Sequence, residues 1–364
     1  MEVSPDFLLL GFNSPATSFD FANDRRQKLL VTGQQNGAIL IWSLKTRRIM
    51  FENLHAHQSQ PVLFVRAFEL TEEYMGLLSQ SRDGLVKKWI VNYFYETWTE
   101  TATVRCQSTT FSRLSFSDEH SLLFVPNEED LSSLDTYYKF TKLNFSLSPS
   151  KSDKKYGMLT DSCSSTTAVI STAASEFQKV NIIKVFGAYE DGSIIIWFVN
   201  ADALCKLNSS SFLASSSSSS SSYLERSPVF RNMEEKFHNE TITTIDYNEI
   251  TNKGISGSAD GVLCLWTPGN STEHNNSTTA ISLIKKTELG TGIGCTRLRQ
   301  DGLIVAVGLW DSTFKILGAN TLKHLGTIVY HDQSITSLSF NEKDKRLAVG
   351  SKDEMISVWR FYAD

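Results

Sequence analysis

A turn residue followed six positions later by a tryptophan occurs five times along this 364-residue chain. The pairs are Asn36 and Trp42, Asp83 and Trp89, Asp191 and Trp197, Asp260 and Trp266, and Asp353 and Trp359. Between each pair lie mostly β-branched and aliphatic residues, as in Ala38-Ile39-Leu40-Ile41 and Ser193-Ile194-Ile195-Ile196. Asp and Asn suit a tight turn because their side chains bond the backbone two residues on. The residues after them suit a pleated, buried strand. A unit repeated at this spacing cannot cover its apolar faces alone, so copies must stack on one another.

Each phrase reads as the second and third strands of a four-stranded antiparallel blade, with the Asp in the turn and the Trp near the end of the third strand. Counting outward gives blades at about 17–51, 52–97, 163–206, 238–285 and 329–362. A sixth, 288–325, has Asp311 in the turn and Leu317 where the Trp would stand. Residues 103–145 lack the phrase but alternate suitably, as in Leu122-Leu123-Phe124-Val125, and are taken as a degenerate third blade. The expected fold is therefore all-β, a single seven-bladed propeller over residues 1–364.

Only Arg360, Phe361, Tyr362, Ala363 and Asp364 follow Trp359, too few for an outer strand. The last blade would then expose an unpaired edge. The apolar run Phe7-Leu8-Leu9-Leu10-Gly11-Phe12 is expected to supply that strand and close the ring. Residues 146–162 read as a flexible loop. Residues 208–235, with Ser215 to Ser222 all serine, read as a disordered insertion, because such a tract buries too little apolar area to offset its ordering entropy.

With a formal net charge of −5 the chain has no basic field, so direct nucleic-acid binding has no compositional support. Five scattered cysteines, at 106, 163, 205, 264 and 295, include no CxxC pair and read as reduced thiols. The N-terminus does not read as a signal peptide, and no apolar stretch approaches the roughly 18 residues of a membrane helix. The expectation is a soluble intracellular protein with no membrane contact.

Two sets of side chains resemble catalytic machinery: His57, Ser79, Asp83 and Trp89, and His238, Ser256, Asp260 and Trp266. In both, Ser precedes Asp by four positions and Trp follows it by six. An active site is normally single, whereas a structural network is copied from blade to blade. The sets are therefore read as buried tetrads in which Asp holds His, His bonds Ser and Ser takes the indole N–H. Other blades carry partial versions. Thr32 and Asn36 stand at the Ser and Asp positions of the first, and Gly187 and Val349 replace Ser in the fourth and seventh, although the seventh keeps His331 and Asp353. These blades are expected to rely on apolar packing. No catalytic residue, cofactor or metal site is indicated. His55 and His57 lack a ligand cluster, and Gly290-Thr291-Gly292-Ile293-Gly294 lacks the Lys-Ser/Thr ending of a phosphate loop. The residues just before the turn Asp face a usual docking surface, and Arg82 and Trp310 are the partner-contact candidates, because Arg and Trp dominate interface hot spots.

These motifs resemble the WD-repeat family over essentially the whole chain. Narrower anchors are Phe7 to Gly11, Ile41 to Arg48, Tyr189 to Ser193, Gly254 to Ala259, Gly308 to Asp311 and Gly350 to Trp359. They are similar to the fungal ASTRA-associated WD-repeat family and to the animal G-protein β-like protein. The resemblance implies a non-catalytic scaffold subunit of a nuclear chromatin-regulating assembly, whose partners are a kinase-like scaffold protein, RuvB-like ATPases and the Tel-two/Tti chaperone subunits. It also implies a co-chaperone role toward phosphatidylinositol-3-kinase-like proteins. The alternatives are a G-protein-β-like signalling adaptor or a generic interaction propeller.

Overall fold

The computed structural model describes residues 4–23, 28–68, 71–149, 155–173, 176–207, 228–269 and 280–361. These residues form seven four-stranded antiparallel sheets arranged as a propeller. Blade 1 runs from an inner strand at Ala16–Asn23, through Lys28–Gln34 and Ile39–Ser43, to an outer strand at Arg48–Asn53. The second and third strands are buried almost residue for residue. Outer strands such as Thr97–Arg105 and Ser282–Glu288 are largely exposed. The burial gradient follows from stacking, since the middle of each blade is covered on both faces by its neighbours.

The apolar core is accordingly divided. Seven clusters of buried side chains each occupy one seam between adjacent blades. Trp89 lies in the seam between blades 1 and 2, Trp266 in that between blades 4 and 5, and Trp359 in that between blades 6 and 7. Each indole thus packs toward the preceding blade.

Ring closure is carried by the N-terminal strand. Phe7–Leu9 pairs antiparallel with Ile356–Arg360, setting Phe7 opposite Val358 and Leu9 opposite Ile356. The Asp6 N–H donates to the Val358 carbonyl at 2.7 Å, and Arg346 meets the Asp6 carboxylate at 3.2 Å. Leu9 is fully buried, in a cluster that also holds Ile356 of blade 7 and Trp42 of blade 1.

The strand boundaries depart from the sequence reading in three places. The outer strand of blade 2 is Thr97–Arg105, so residues 103–105 belong to blade 2 and not to blade 3. Blade 3 runs from Ser115–Ser117 to Thr141–Leu147. The span read as a loop at 146–162 therefore begins in its outer strand and ends in the inner strand of blade 4, Leu159–Ala173. Blade 4 takes its outer strand from Val229–Lys236, all but the last residue of which lies in the span 208–235 read as a disordered insertion. Val229, Met233 and Ile196 pack in the neighbouring seams, and that apolar pairing specifies a strand. The serine run Ser215 to Ser222 lies outside the described residues. A short helix, Ala201–Leu207, follows the third strand of blade 4, capped by the Asn200 side chain, which accepts from the Ala203 N–H at 3.0 Å.

Polar staples supplement the seams at the inner strands. Arg113, just before the inner strand of blade 3, forms a two-pronged ion pair with Asp161 of blade 4. The same carboxylate accepts the Ile245 N–H of blade 5 at 2.9 Å, so Asp161 joins three blades. Burial alone would lower the Arg113 pKa, but the Asp161 charge outweighs it and holds the guanidinium above its ordinary value. Asp20 accepts from Ala67 of the next blade, and Asp246 accepts from Leu298.

Deleting residues 1–12 should lower the melting temperature of the whole domain in one cooperative transition, followed by circular dichroism. An unchanged melting temperature would contradict closure by this strand.

Candidate interaction surface and the buried tetrads

Blade 2 holds a complete network. His57 Nδ1 lies 2.8 Å from Asp83 Oδ2, His57 Nε2 lies 2.8 Å from Ser79 Oγ, and Trp89 Nε1 donates to Ser79 Oγ at 2.9 Å. Indole N–H can only donate. Ser79 Oγ therefore accepts from Trp89 while bridging to His57 Nε2, and the ionised Asp83 accepts from His57 Nδ1. His57 and Ser79 have no solvent exposure, so no substrate can reach this serine.

Blade 5 differs. His238 Nε2 meets Ser256 Oγ at 2.7 Å, but His238 Nδ1 and Trp266 Nε1 have no partner. His238, Ser256, Asp260 and Trp266 therefore do not form a closed tetrad. A neighbouring hydroxyl also differs between the two blades. In blade 2 Ser81 donates to the Gln60 carbonyl. In blade 5 the equivalent Ser258 donates to Asp260 itself. Trp266 instead packs among aromatic rings, 5.7 Å from Phe186 and 6.3 Å from Tyr247.

Blade 7, where apolar packing was expected to suffice, holds a complete network with one member relocated. His331 Nδ1 lies 2.8 Å from Asp353 Oδ2, His331 Nε2 lies 2.7 Å from Ser357 Oγ, and Trp359 Nε1 donates to the same oxygen at 2.7 Å. Ser357 is the cross-strand partner of Val349, the position where serine is missing. The hydroxyl has crossed the ladder from the second strand to the third. Its sequence signal was available, because residues two apart on a strand share a face and Ser357 stands two before Trp359. In blade 1, Trp42 Nε1 donates to Thr32 Oγ1 at 3.3 Å, and Asn36 caps the turn by accepting the Ala38 N–H.

The surface bearing the turns between second and third strands opens into an apolar mouth of roughly 590 Å³ at the ring axis. Trp310, Phe111, Met158, Ile242 and Ile335 line it, with Lys352 at the edge. Trp310 is 49 % exposed. One face of its indole lies on its own blade, over Gly292, where an added Cβ would stand 2.2 Å from the ring. The glycine-rich stretch at 290–294 thus seats an aromatic side chain. Arg82 stacks on the Phe111 ring at 4.4 Å, and Phe111 is itself 64 % exposed. Of the two contact candidates, Trp310 lines the opening, and Arg82 borders it through its stack on Phe111. Phe111 and Met158 were not singled out from sequence, since both lie in connections outside the repeated phrase. From the opposite side a polar cavity of roughly 600 Å³ reaches inward, lined by Asp20, Arg66, Arg113, Asp246, Arg297 and Glu342. Leu63, Arg113 and Ser337 line both spaces, which therefore lie back to back along the ring axis. Among the described residues no group of three or more His, Cys, Asp or Glu side chains is placed to hold a metal ion.

Comparison with known proteins adds the lineage. Residues 322–360 match the family model described as WD domain, G-beta repeat. That stretch runs from the outer strand of blade 6 to the third strand of blade 7, one strand out of phase with the blades. "ASTRA-associated protein 1" of Schizosaccharomyces japonicus is 23% identical over 99% of both chains, and that of Schizosaccharomyces pombe is 22% identical over 99% of both. The chain is similar to these ASTRA-associated proteins along almost its whole length. It is also 27% identical to the mouse "Guanine nucleotide-binding protein subunit beta-like protein 1", over 98% of this chain and 96% of the relative. The fold and these likenesses support a scaffold role.

Two outcomes test the networks. Ser357→Ala should cost about 1–3 kcal/mol in denaturant unfolding, because His331 and Trp359 both lose their partner. Adding Val349→Ser should recover part of that loss, whereas no recovery would show that the hydroxyl's position across the ladder does not matter.

The second outcome concerns acid. Burial pushes the His238 pKa down to about 4, against the opposing pull of Asp260. The unfolded chain therefore takes up a proton near pH 6.5 that the folded chain refuses. Stability from this group is complete above about pH 6.5 and falls as pH drops toward about 4, by up to about 3 kcal/mol. Unfolding curves of wild type and His238→Gln between those values should show a shallower acid loss in the variant.

Proposed function

We propose that this chain is a non-catalytic scaffold subunit of an ASTRA-like chromatin-regulating assembly in the nucleus, and that the mouth carrying Trp310 is its principal docking surface. The observation that carries the reading is the likeness to the ASTRA-associated proteins over 99% of both chains. The propeller supplies a rigid platform, and the half-exposed indole on one side of the mouth and the Arg82–Phe111 stack on the other supply the anchor types that dominate protein interfaces. The partners of this reading are a kinase-like scaffold protein, RuvB-like ATPases and Tel-two/Tti chaperone subunits, and a co-chaperone role toward phosphatidylinositol-3-kinase-like proteins goes with it. A second reading, a G-protein-β-like adaptor, draws on the mouse relative's name. It predicts capture of a γ-like helix.

Affinity purification of the tagged chain from cells should recover the RuvB-like ATPases and the kinase-like scaffold. Trp310→Ala should reduce that recovery roughly tenfold or more while leaving the melting temperature unchanged, as expected for an interface anchor. Recovery of neither partner by the wild-type chain would defeat the reading.

A further inference from the structure

The seam between blades 2 and 3 is open at its outer edge. A groove of roughly 340 Å³ opens there, lined by Phe68, Phe116, Phe140, Leu123, Lys88 and Lys139. Phe68 and Phe116 meet edge to face at 5.6 Å, and the Lys88 ammonium sits 5.0 Å from the centre of the Phe68 ring. Phe116 and Phe140 are only partly buried, so the wall they form is open to solvent. Asp118 is the acidic residue on the lining, against the two lysines.

The rim on the blade 3 side is built from unfavourable backbone. Ser121, Lys139 and Phe140 all adopt positive φ, at 52°, 48° and 65°. Lys139 and Phe140 form the two-residue turn between the strands Leu134–Tyr138 and Thr141–Leu147, where Asn-Gly would be the comfortable choice. A bulky residue in the left-handed region costs free energy and persists only where its surroundings hold it. Here the Lys139 N–H donates to the Ser121 carbonyl at 3.0 Å, and the Ser121 N–H donates to the Asp118 carbonyl at 3.1 Å. These bonds lock a rim that places Phe140 in the groove wall and Lys139 at its lip.

We propose that this inter-blade groove binds an extended acidic segment of a partner protein, with one bulky apolar side chain in the groove and its flanking carboxylates at Lys88 and Lys139. The aromatic lining selects the apolar side chain. Two cations against one carboxylate select the flanking charge. The space is at the small end of what ligand pockets offer, enough for one such side chain and its adjoining backbone. The groove lies at the outer edge of the ring and is independent of the axial mouth.

The test uses the full chain and a fluorescein-labelled peptide, Gly-Asp-Asp-Phe-Asp-Asp-Gly, followed by fluorescence anisotropy. Saturable binding that weakens with added salt is expected. Lys139→Glu, or Thr101→Trp to fill the groove from an exposed strand position, should weaken it roughly tenfold or more, as should Ser in place of the peptide's Phe. Melting curves establish that each variant is folded, and the Thr101→Trp result decides if Lys139→Glu is not. Absence of saturable binding would overturn the proposal. So would binding that survives the folded groove variants, or that is lost only with Trp310→Ala, which would assign the peptide to the mouth.

Discussion

A blade whose second and third strands are apolar on both faces cannot exist alone, and everything else in this molecule follows from that. Covering one face of a blade requires a neighbour, and the neighbour needs another in turn, until the circle closes. The seven seam clusters are the physical form of this requirement, with a largely buried tryptophan in five of the blades. Because the sequence repeat runs one strand out of phase with the blade, the last repeat ends at a third strand. The first strand of the chain completes the last blade. Mutual dependence of this sort favours cooperative folding, since losing one seam uncovers two blades.

Polar groups refine this arrangement. The His-Ser-Trp networks of blades 2 and 7 satisfy an indole N–H and a histidine ring that burial would otherwise leave orphaned. The blade 5 version leaves two atoms unpaired, and that blade relies on the packing of Trp266 with Phe186 and Tyr247. Along the axis, Asp161 serves three blades with one carboxylate, and the charge on Arg113 is retained inside the ring because that carboxylate faces it.

The Asp-to-Trp spacing made the middle of each blade legible, because a tight turn and its two flanking strands are encoded locally. Outer strands were harder to place. Thr97–Arg105 and Val229–Lys236 are defined by pairing with a third strand, and in blade 4 the partners are separated by residues 201–228. The tetrads were legible as residue types but only partly as contacts. Asp260 bonds the Ser258 hydroxyl and the Val262 N–H but not His238, a choice among contacts that residue types do not reveal. Ser357 was hidden because the expected position, Val349, is on the facing strand. At the mouth, Trp310 and Arg82 could be placed by their position before a turn, while Phe111 came from an irregular connection that carries no periodic signal.

The exposed aromatic groups at the mouth sit on a scaffold whose stability is spent elsewhere, in the seams and at the closing strand, so surface residues are available for recognition. Hydrogen–deuterium exchange of the intact chain tests that closure most directly. A single closed ring predicts that the amides of residues 6–9 are protected as strongly as those of residues 356–360, and that both segments exchange in the same global opening. Rapid exchange at 6–9 beside a protected 356–360 would contradict it.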